Sequence, residues 1–259
     1  MGILNLTPDS FSDGGALISS EAAAERAVAM TAEGADWLDV GGESTRPGAS
    51  PVTEAEELAR VIPAIEAIRA RCPTPISVDT MKAAVAQAAM AAGATLWNDV
   101  AALRAPRSLE TAASLGCGVV LMHMRGEPAT MQDDPRYDDV VAEVMAFLED
   151  RARAATDAGV AKERIWLDPG LGFGKTVAHN LALLRSLPEL AALGYPVVVG
   201  SSRKGMIRTL DPSAKSAMDR LGGSLAIALA AARTGAGMVR VHDVRETVQA
   251  FRVDAAIRG

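Results

Sequence analysis

Asn5, Asp79, Asn98 and Asp168 each stand at or near the end of a short apolar run, where a buried strand has little use for a carboxylate unless it is paired or functional. Glu43, Thr45 and Arg46 follow another such run, Ser201, Ser202 and Lys204 a third, and Arg240 with His242 closes the last. Asp accepts hydrogen bonds and Asn both donates and accepts, so Asp79, Asn98 and Asp168 suit the edge of a flat, nitrogen-rich heterocycle. Lys204, Arg46, Arg240 and His242 supply positive charge for an anion. Arg240 and His242 lie two residues apart and therefore on one face of a strand. Asn5 is a candidate oxygen ligand for Mg²⁺, which keeps several waters and leans on substrate phosphates. Phe173, framed by Gly172 and Gly174, is free to lie against a ring. Asp79 or Asp168 alone would equally suit a loop cap; their convergence with the others favours a site. His123 reads equally well as structural or functional, and His179, at a helix start, is expected to face solvent.

Three other chemistries lack their motifs. The segment from Gly170 to Thr176 resembles a phosphate loop, but Pro169 stands where its first glycine is required. Gly42-Glu43-Ser44-Thr45-Arg46 is one glycine short of a nucleophile elbow. No His- or Cys-rich zinc spacing occurs. Hydride transfer, serine hydrolysis and zinc catalysis all lose support.

The elements that must position these residues alternate. The sequence predicts strands at 2–6, 37–41, 76–79, 96–100, 118–122, 165–168, 197–200 and 238–241. Helices are expected after each, starting near Glu21, Thr53, Lys82, Arg107, Asp138, Ala178, Ser216 and Arg245. Such alternation implies parallel βαβ units. Eight units without a linker predict a closed α/β architecture, a (βα)8 or TIM barrel forming a single domain over 1–259. In the second helix Leu58, Val61, Ile62, Ile65 and Ile68 should face the barrel, with Glu56, Glu57, Arg60 and Arg69 outside. Val140, Val141, Val144, Met145 and Leu148 repeat likewise in the fifth. Thr53 and Glu56 read as a capping box. The long loops are expected at 7–16 and 43–52, and loops of about ten residues usually bind something. A barrel places its site at the carboxyl ends of its strands, the rim where all the polar residues above fall.

Composition sets the remaining bounds. The chain has 259 residues, 49% hydrophobic and 22% charged, with a net charge of −6. That balance argues against a broad nucleic-acid surface, though not against a local anion pocket. Cys72 and Cys117 suit a reducing compartment. No signal segment appears, and the apolar stretch 224–239 is interrupted by Arg233 and too short to span a bilayer. A cytoplasmic protein with no nucleic-acid or membrane partner is expected.

The segments 1–15, 39–48, 76–80, 121–124, 167–175, 202–204 and 240–244 resemble, in order, those of the dihydropteroate synthase family of pterin-binding enzymes. The resemblance implies condensation of 6-hydroxymethyl-7,8-dihydropterin pyrophosphate with 4-aminobenzoate, giving 7,8-dihydropteroate and pyrophosphate in folate biosynthesis. It implies that Asp79, Asn98, Asp168 and Lys204 hold the pterin. Asn5 would contact Mg²⁺ and, with Arg46, Arg240, the Val241 backbone and His242, receive the pyrophosphate. Thr45, Pro47, Phe173 and Ser202 would shape the aminobenzoate site, with the carboxylate near the start of the helix after strand seven. Asp9, Phe11 and Asp13 would lie on a lid, and Asp13 and Asp79, with Lys204, Arg240 and His242, would serve catalysis. Two departures stand out: relatives carry residues ahead of the first strand, and position 205 is Gly where many have Ser. The segment ending at Lys175 has no insertion, so ordinary sulfonamide sensitivity is expected. A homodimer through outer helices is also implied. The rival readings are a pterin-binding methyltetrahydrofolate methyltransferase, which needs no pyrophosphate pocket, and a non-catalytic pterin-binding paralogue.

Overall fold

A computed structural model describes residues 1–7, 19–45 and 49–259. Its strands are β1 (Gly2–Asn5), β2 (Leu38–Gly41), β3 (Ile76–Asp79), β4 (Leu96–Asp99), β5 (Gly118–Met122), β6 (Ile165–Asp168), β7 (Val198–Gly200) and β8 (Met238–Arg240). The helices are α1 (Ser20–Glu33), α2 (Glu54–Arg71), α3 (Ala83–Ala91), α4 (Ser108–Leu115), α5 (Val140–Asp157), α6 (Val177–Arg185), α7 (Leu187–Ala191), α8 (Gly205–Leu210), α9 (Leu221–Arg233) and α10 (Val244–Arg258).

Strands β1 to β6 pair in sequence order, all parallel, and β7 pairs with β8. Two bridges close the ring. Leu167 pairs with Val197, and Gly2 with Val241. At the second seam Ile3 N–H donates to Val241 O at 2.9 Å and Val241 N–H to Met1 O at 3.0 Å. The result is the expected (βα)8 barrel.

Side chains alternate along a strand, and here the parity is clean. Leu38, Val40, Ile76, Val78, Leu121, Ile165 and Leu167 point outward into one apolar layer with Ala27, Val61, Ile65, Ile68, Val144 and Leu148 of the helices. Leu96, Val120, Val198 and Met238 point inward and pack with Met1 as a plug inside the barrel. Asp39, Ser77, Asp79, Asn98, Asp168 and Arg240 have that same inward parity, nearer the carboxyl ends of their strands. The plug seals the barrel from below, so the polar layer opens only upward.

Three expectations change. Glu57, expected outside, is fully buried, because Lys82 Nζ reaches its carboxylate at 2.7 Å. The short helices α7 and α8 were not foreseen, and the helix before β8 begins at Leu221 rather than near Ser216. A third long loop, 123–139, joins β5 to α5. The box of Thr53 and Glu56 does cap α2.

Candidate active site

The alternation just described brings Asp79, Asn98, Asp168 and Arg240 from four strands to one mouth. Thr45, Phe173 and Lys204 line the same cleft. Arg240 lies across it, its Nε donating to Asp39 Oδ2 at 2.5 Å and its Nη2 to Asp79 Oδ2 at 2.6 Å. Asn98 Nδ2 donates to the same Asp39 oxygen at 3.3 Å. On the opposite side Asp168 Oδ1 accepts from Gly170 N–H at 2.7 Å, and Lys204 Nζ donates to Leu171 O at 2.7 Å. That ammonium also sits 5.0 Å from the centre of the Phe173 ring.

The Asp-Pro-Gly-Leu-Gly-Phe-Gly-Lys segment folds this way for steric reasons. Gly170 has φ of +67°, and a Cβ there would sit 1.9 Å from His123 O. Gly174, at φ of +64°, would bring a Cβ to 2.4 Å from Arg125 O. Only glycine permits both the left-handed backbone and the close approach. The turn is also held from the loop at 123–139, where Tyr137 Oη donates to Gly174 O at 2.8 Å and Gln132 Nε2 to Gly172 O. Phe173 is thereby presented to the cleft.

Burial sets the electrostatics. It pushes the Asp79 carboxyl up to about 7; Arg240 pulls the other way, but Asp39 shares that guanidinium and repels Asp79. Asp168 is raised by burial, against its bond from Gly170 and the attraction of Lys204. Lys204 is pushed down to about 8 by burial, with Asp168 opposing. For Arg240, burial disfavours the charge, yet Asp39 and Asp79 outweigh it and hold the guanidinium above its ordinary value.

The sequence-predicted residues divide as follows. Asp79, Asn98, Asp168, Phe173, Lys204, Thr45 and Arg240 line one cleft. Ser202 Oγ accepts from His242 N–H at 3.2 Å and lies 3.0 Å from His242 Nδ1, which ties the loop after β7 to the end of β8. Asn5 ends β1, half-buried. Val241 requires a correction: its N–H and carbonyl both close the barrel, so its backbone is not available to an anion. His179 caps α6 with Thr176 rather than simply facing solvent. His123 is buried against Lys175 and takes the structural reading. Asp9, Phe11, Asp13, Arg46 and Pro47 lie outside the described residues. Asp39 was missed, although its inward parity between Leu38 and Val40 marks it.

Among the described residues no group of three His, Cys, Asp or Glu could hold a metal, and no helix is long and apolar enough to cross a membrane. Asn5 offers one amide, with no side-chain hydrogen bond among the described residues. That donor chemistry fits a cation carried mainly by water and a phosphate ligand rather than by a protein cage.

A family model described as pterin binding enzyme matches residues 1–242. The dihydropteroate synthase of Escherichia coli (strain K12) is 51% identical over 253 residues, covering 98% of this chain and 89% of that protein. The solved structure of Xanthomonas albilineans dihydropteroate synthase with 4-aminobenzoic acid superposes with a TM-score of 0.93 at 52% identity, covering 100% of this chain and 92% of the other. That of the Yersinia pestis enzyme in a sulfonamide drug complex gives 0.94 at 47% identity, covering 99% and 93%.

Proposed function

Because the chain belongs to the pterin-binding enzyme family, among its dihydropteroate synthases, we propose that the barrel mouth around Asp79, Asn98, Asp168, Lys204 and Arg240 is where it works. The activity is a transferase reaction, joining 6-hydroxymethyl-7,8-dihydropterin pyrophosphate to 4-aminobenzoate with release of pyrophosphate and formation of 7,8-dihydropteroate. One observation carries the placement. Hydrogen-bonding groups for a flat ring and cations for a diphosphate share a single cleft, although they come from strands far apart in the chain.

In this reading Asp79, Asn98, Asp168 and Lys204 grip the pterin by its polar edges, and the low-dielectric wall strengthens each bond. Arg240 and His242, with Arg46, take the diphosphate. The bond between the pterin methylene carbon and the bridging oxygen breaks first, its electron pair leaving with pyrophosphate. The delocalised pterin-methyl cation is then trapped by the 4-aminobenzoate nitrogen, whose lone pair forms the new C–N bond and whose proton passes to pyrophosphate. No side chain acts as nucleophile. The cations stabilise the charge that develops on the leaving group, and Phe173, Thr45, Pro47 and Ser202 hold the arylamine in line. Mg²⁺, held by Asn5 and the diphosphate, would supply further neutralisation of the leaving charge. Asp13 and Asp79 would offset positive charge on the pterin.

Leu210, Met218, Val253 and Ile257 expose apolar surface on outer elements, which supports a homodimer, testable by light scattering. Free Cys72 and Cys117 suit a cytoplasmic setting.

The direct test is pyrophosphate release from the pterin substrate. Release is expected to require both 4-aminobenzoate and Mg²⁺, with a sulfonamide competing against the former. Release that ignored 4-aminobenzoate would remove the trapping step. Asp168→Asn is expected to weaken pterin binding by about 100-fold while leaving the fold intact, since a carboxylate that can only accept is replaced by an amide that must present a donor on one side. Near-normal turnover in that variant would take the pterin out of this cleft.

A further inference from the structure

We infer that Asp39 is a positioning residue that fixes the orientation of Arg240 and Asn98 from beneath the cleft. The inference rests on the placement of the reaction proposed above and adds a residue that touches neither substrate. Asp39 is fully buried, on the inward face of β2, and it is absent from the wall of the cleft. Its Oδ2 receives the Arg240 Nε proton at 2.5 Å and an Asn98 amide proton at 3.3 Å. A single oxygen therefore sets the rotamers of one cation and one amide, contributed by β8 and β4.

The geometry matters because of how a guanidinium is built. It has five N–H groups in one plane. Asp39 takes Nε, Asp79 takes one proton of Nη2, and these two carboxylates define the plane. Three N–H groups remain for a ligand, one on Nη2 and two on Nη1. With Asp79 alone, the guanidinium would swing about a single contact, and its free edge would have no fixed aim.

A second observation sets Asp39 apart from a fully satisfied structural ion pair. Among the described residues its Oδ1 has no hydrogen-bond partner, nor has Ser77 Oγ, the side chain on the neighbouring strand residue in register with it. A buried carboxylate with one oxygen unsatisfied by protein groups costs desolvation free energy that its bond to Arg240 only partly offsets. The residue is explained by what it does to Arg240 and Asn98.

The experiment is a double-mutant cycle on the full chain, with Asp39→Asn, Arg240→Gln and the pair. kcat and KM for both substrates are measured, together with affinity for a bare pterin. Asp39→Asn is expected to lower kcat/KM for the pterin pyrophosphate by about 100-fold, the scale of a small misplacement of a reacting group. KM for 4-aminobenzoate should stay within about threefold, because Phe173 and Ser202 are held by other partners. In the Arg240→Gln background the same substitution should cost less than about threefold more. Losses that multiply in full, or that fall equally on both substrates, would overturn the assignment. If Asp39→Asn fails to fold, the ligand-free wild type still decides: the Arg240 Nε–H must give a resolved NMR signal, slow to exchange at neutral pH. A signal exchanging like that of a solvated arginine would refute the contact. A wild type that bound pterin yet formed no product would sink the functional placement instead, leaving the NMR signature and the coupling in pterin affinity to decide the role of Asp39.

Discussion

Lys175 Nζ lies 2.9 Å from His123 Nδ1, and both side chains are buried under the turn that presents Phe173. The same ammonium donates to the carbonyls of Gly170 and Phe173 at 3.0 Å each and of His123 at 3.2 Å. It satisfies carbonyls that the turn leaves without strand partners. Replacing Lys175 with Met keeps the apolar stem and removes every one of these bonds. Lys175→Met is expected to destabilise the fold by about 3 kcal/mol, the upper end for orphaned buried acceptors. KM for 4-aminobenzoate should rise more than kcat falls, because Phe173 loses its platform. Urea unfolding and steady-state kinetics check both, and an unchanged denaturation midpoint would show that the turn holds itself.

His123 makes the acid stability of the fold testable. Burial and then the neighbouring Lys175 push the imidazole down to about 3, against 6.5 for an ordinary histidine. Its Nδ1 lone pair thus stays available to the lysine. Between pH 6.5 and 3 the unfolded chain binds a proton here that the folded chain refuses. Stability is therefore full above pH 6.5 and is withdrawn as the pH falls, by on the order of 3 kcal/mol at pH 4. The edge of His123 also meets the Phe147 ring, with centroids 4.9 Å apart. His123→Gln should lose less stability than wild type between pH 7 and 4. Parallel unfolding curves for the two proteins would mean that another group carries the acid sensitivity.

Much of this was legible from the chain alone because barrel strands obey a strict parity. Once Val78 and Leu167 are read as outward, Asp79 and Asp168 must sit on the inward-facing rim, and the strand boundaries differ from expectation by only a residue or two. What escaped depends on partners distant in sequence. Asp39 sits mid-strand, and its partner Arg240 is 201 residues away. Glu57 has the outward look of any helix carboxylate, and only Lys82, on the next unit, explains its burial. The Val241 amide is spent on the seam between the first and last strands, which appears only when the barrel closes. The loop at 123–139 carried its own signals in Gly126, Pro128 and Pro135, outweighed by the richer motifs in the first two loops.

The Glu57–Lys82–Glu43 cluster ties the second active-site loop to the barrel wall. Lys82 Nζ reaches Glu43 at 2.6 Å and Glu57 at 2.7 Å, while the other oxygen of Glu43 accepts from Val52 N–H at 3.0 Å. Both ends of the loop bearing Thr45 are thereby fastened to one lysine. Lys82→Met leaves the Glu57 carboxylate buried without a counter-charge, so the expected loss is about 3–5 kcal/mol. Adding Glu57→Gln should recover most of that loss, since the unpaired charge disappears with it. Turnover should recover less than stability, because Glu43 and its loop remain untethered. Thermal melts of the single and double variants test this, and a double variant as unstable as Lys82→Met would show that packing, not charge, was lost.

Two of the perturbed groups of the cleft, Asp79 and Lys204, predict the pH range in which it binds. Asp79 accepts most strongly from Arg240 and from a ring N–H when ionised, and its carboxyl gives up its proton near 7. Lys204 donates most strongly when charged, and burial brings its ammonium down to about 8. Affinity for a bare pterin should therefore rise as the pH passes 7, level briefly, and fall beyond 8, a far narrower window than ordinary Asp and Lys would allow. A bare pterin is the right probe because pyrophosphate titrations are absent from it. Lys204→Arg removes the alkaline limb and leaves the acid limb in place, since a guanidinium stays charged throughout. Affinity that stayed level from pH 5 to 10 would mean that neither group meets the ring, and the cleft would then hold its ligand through Asn98 and Asp168 alone.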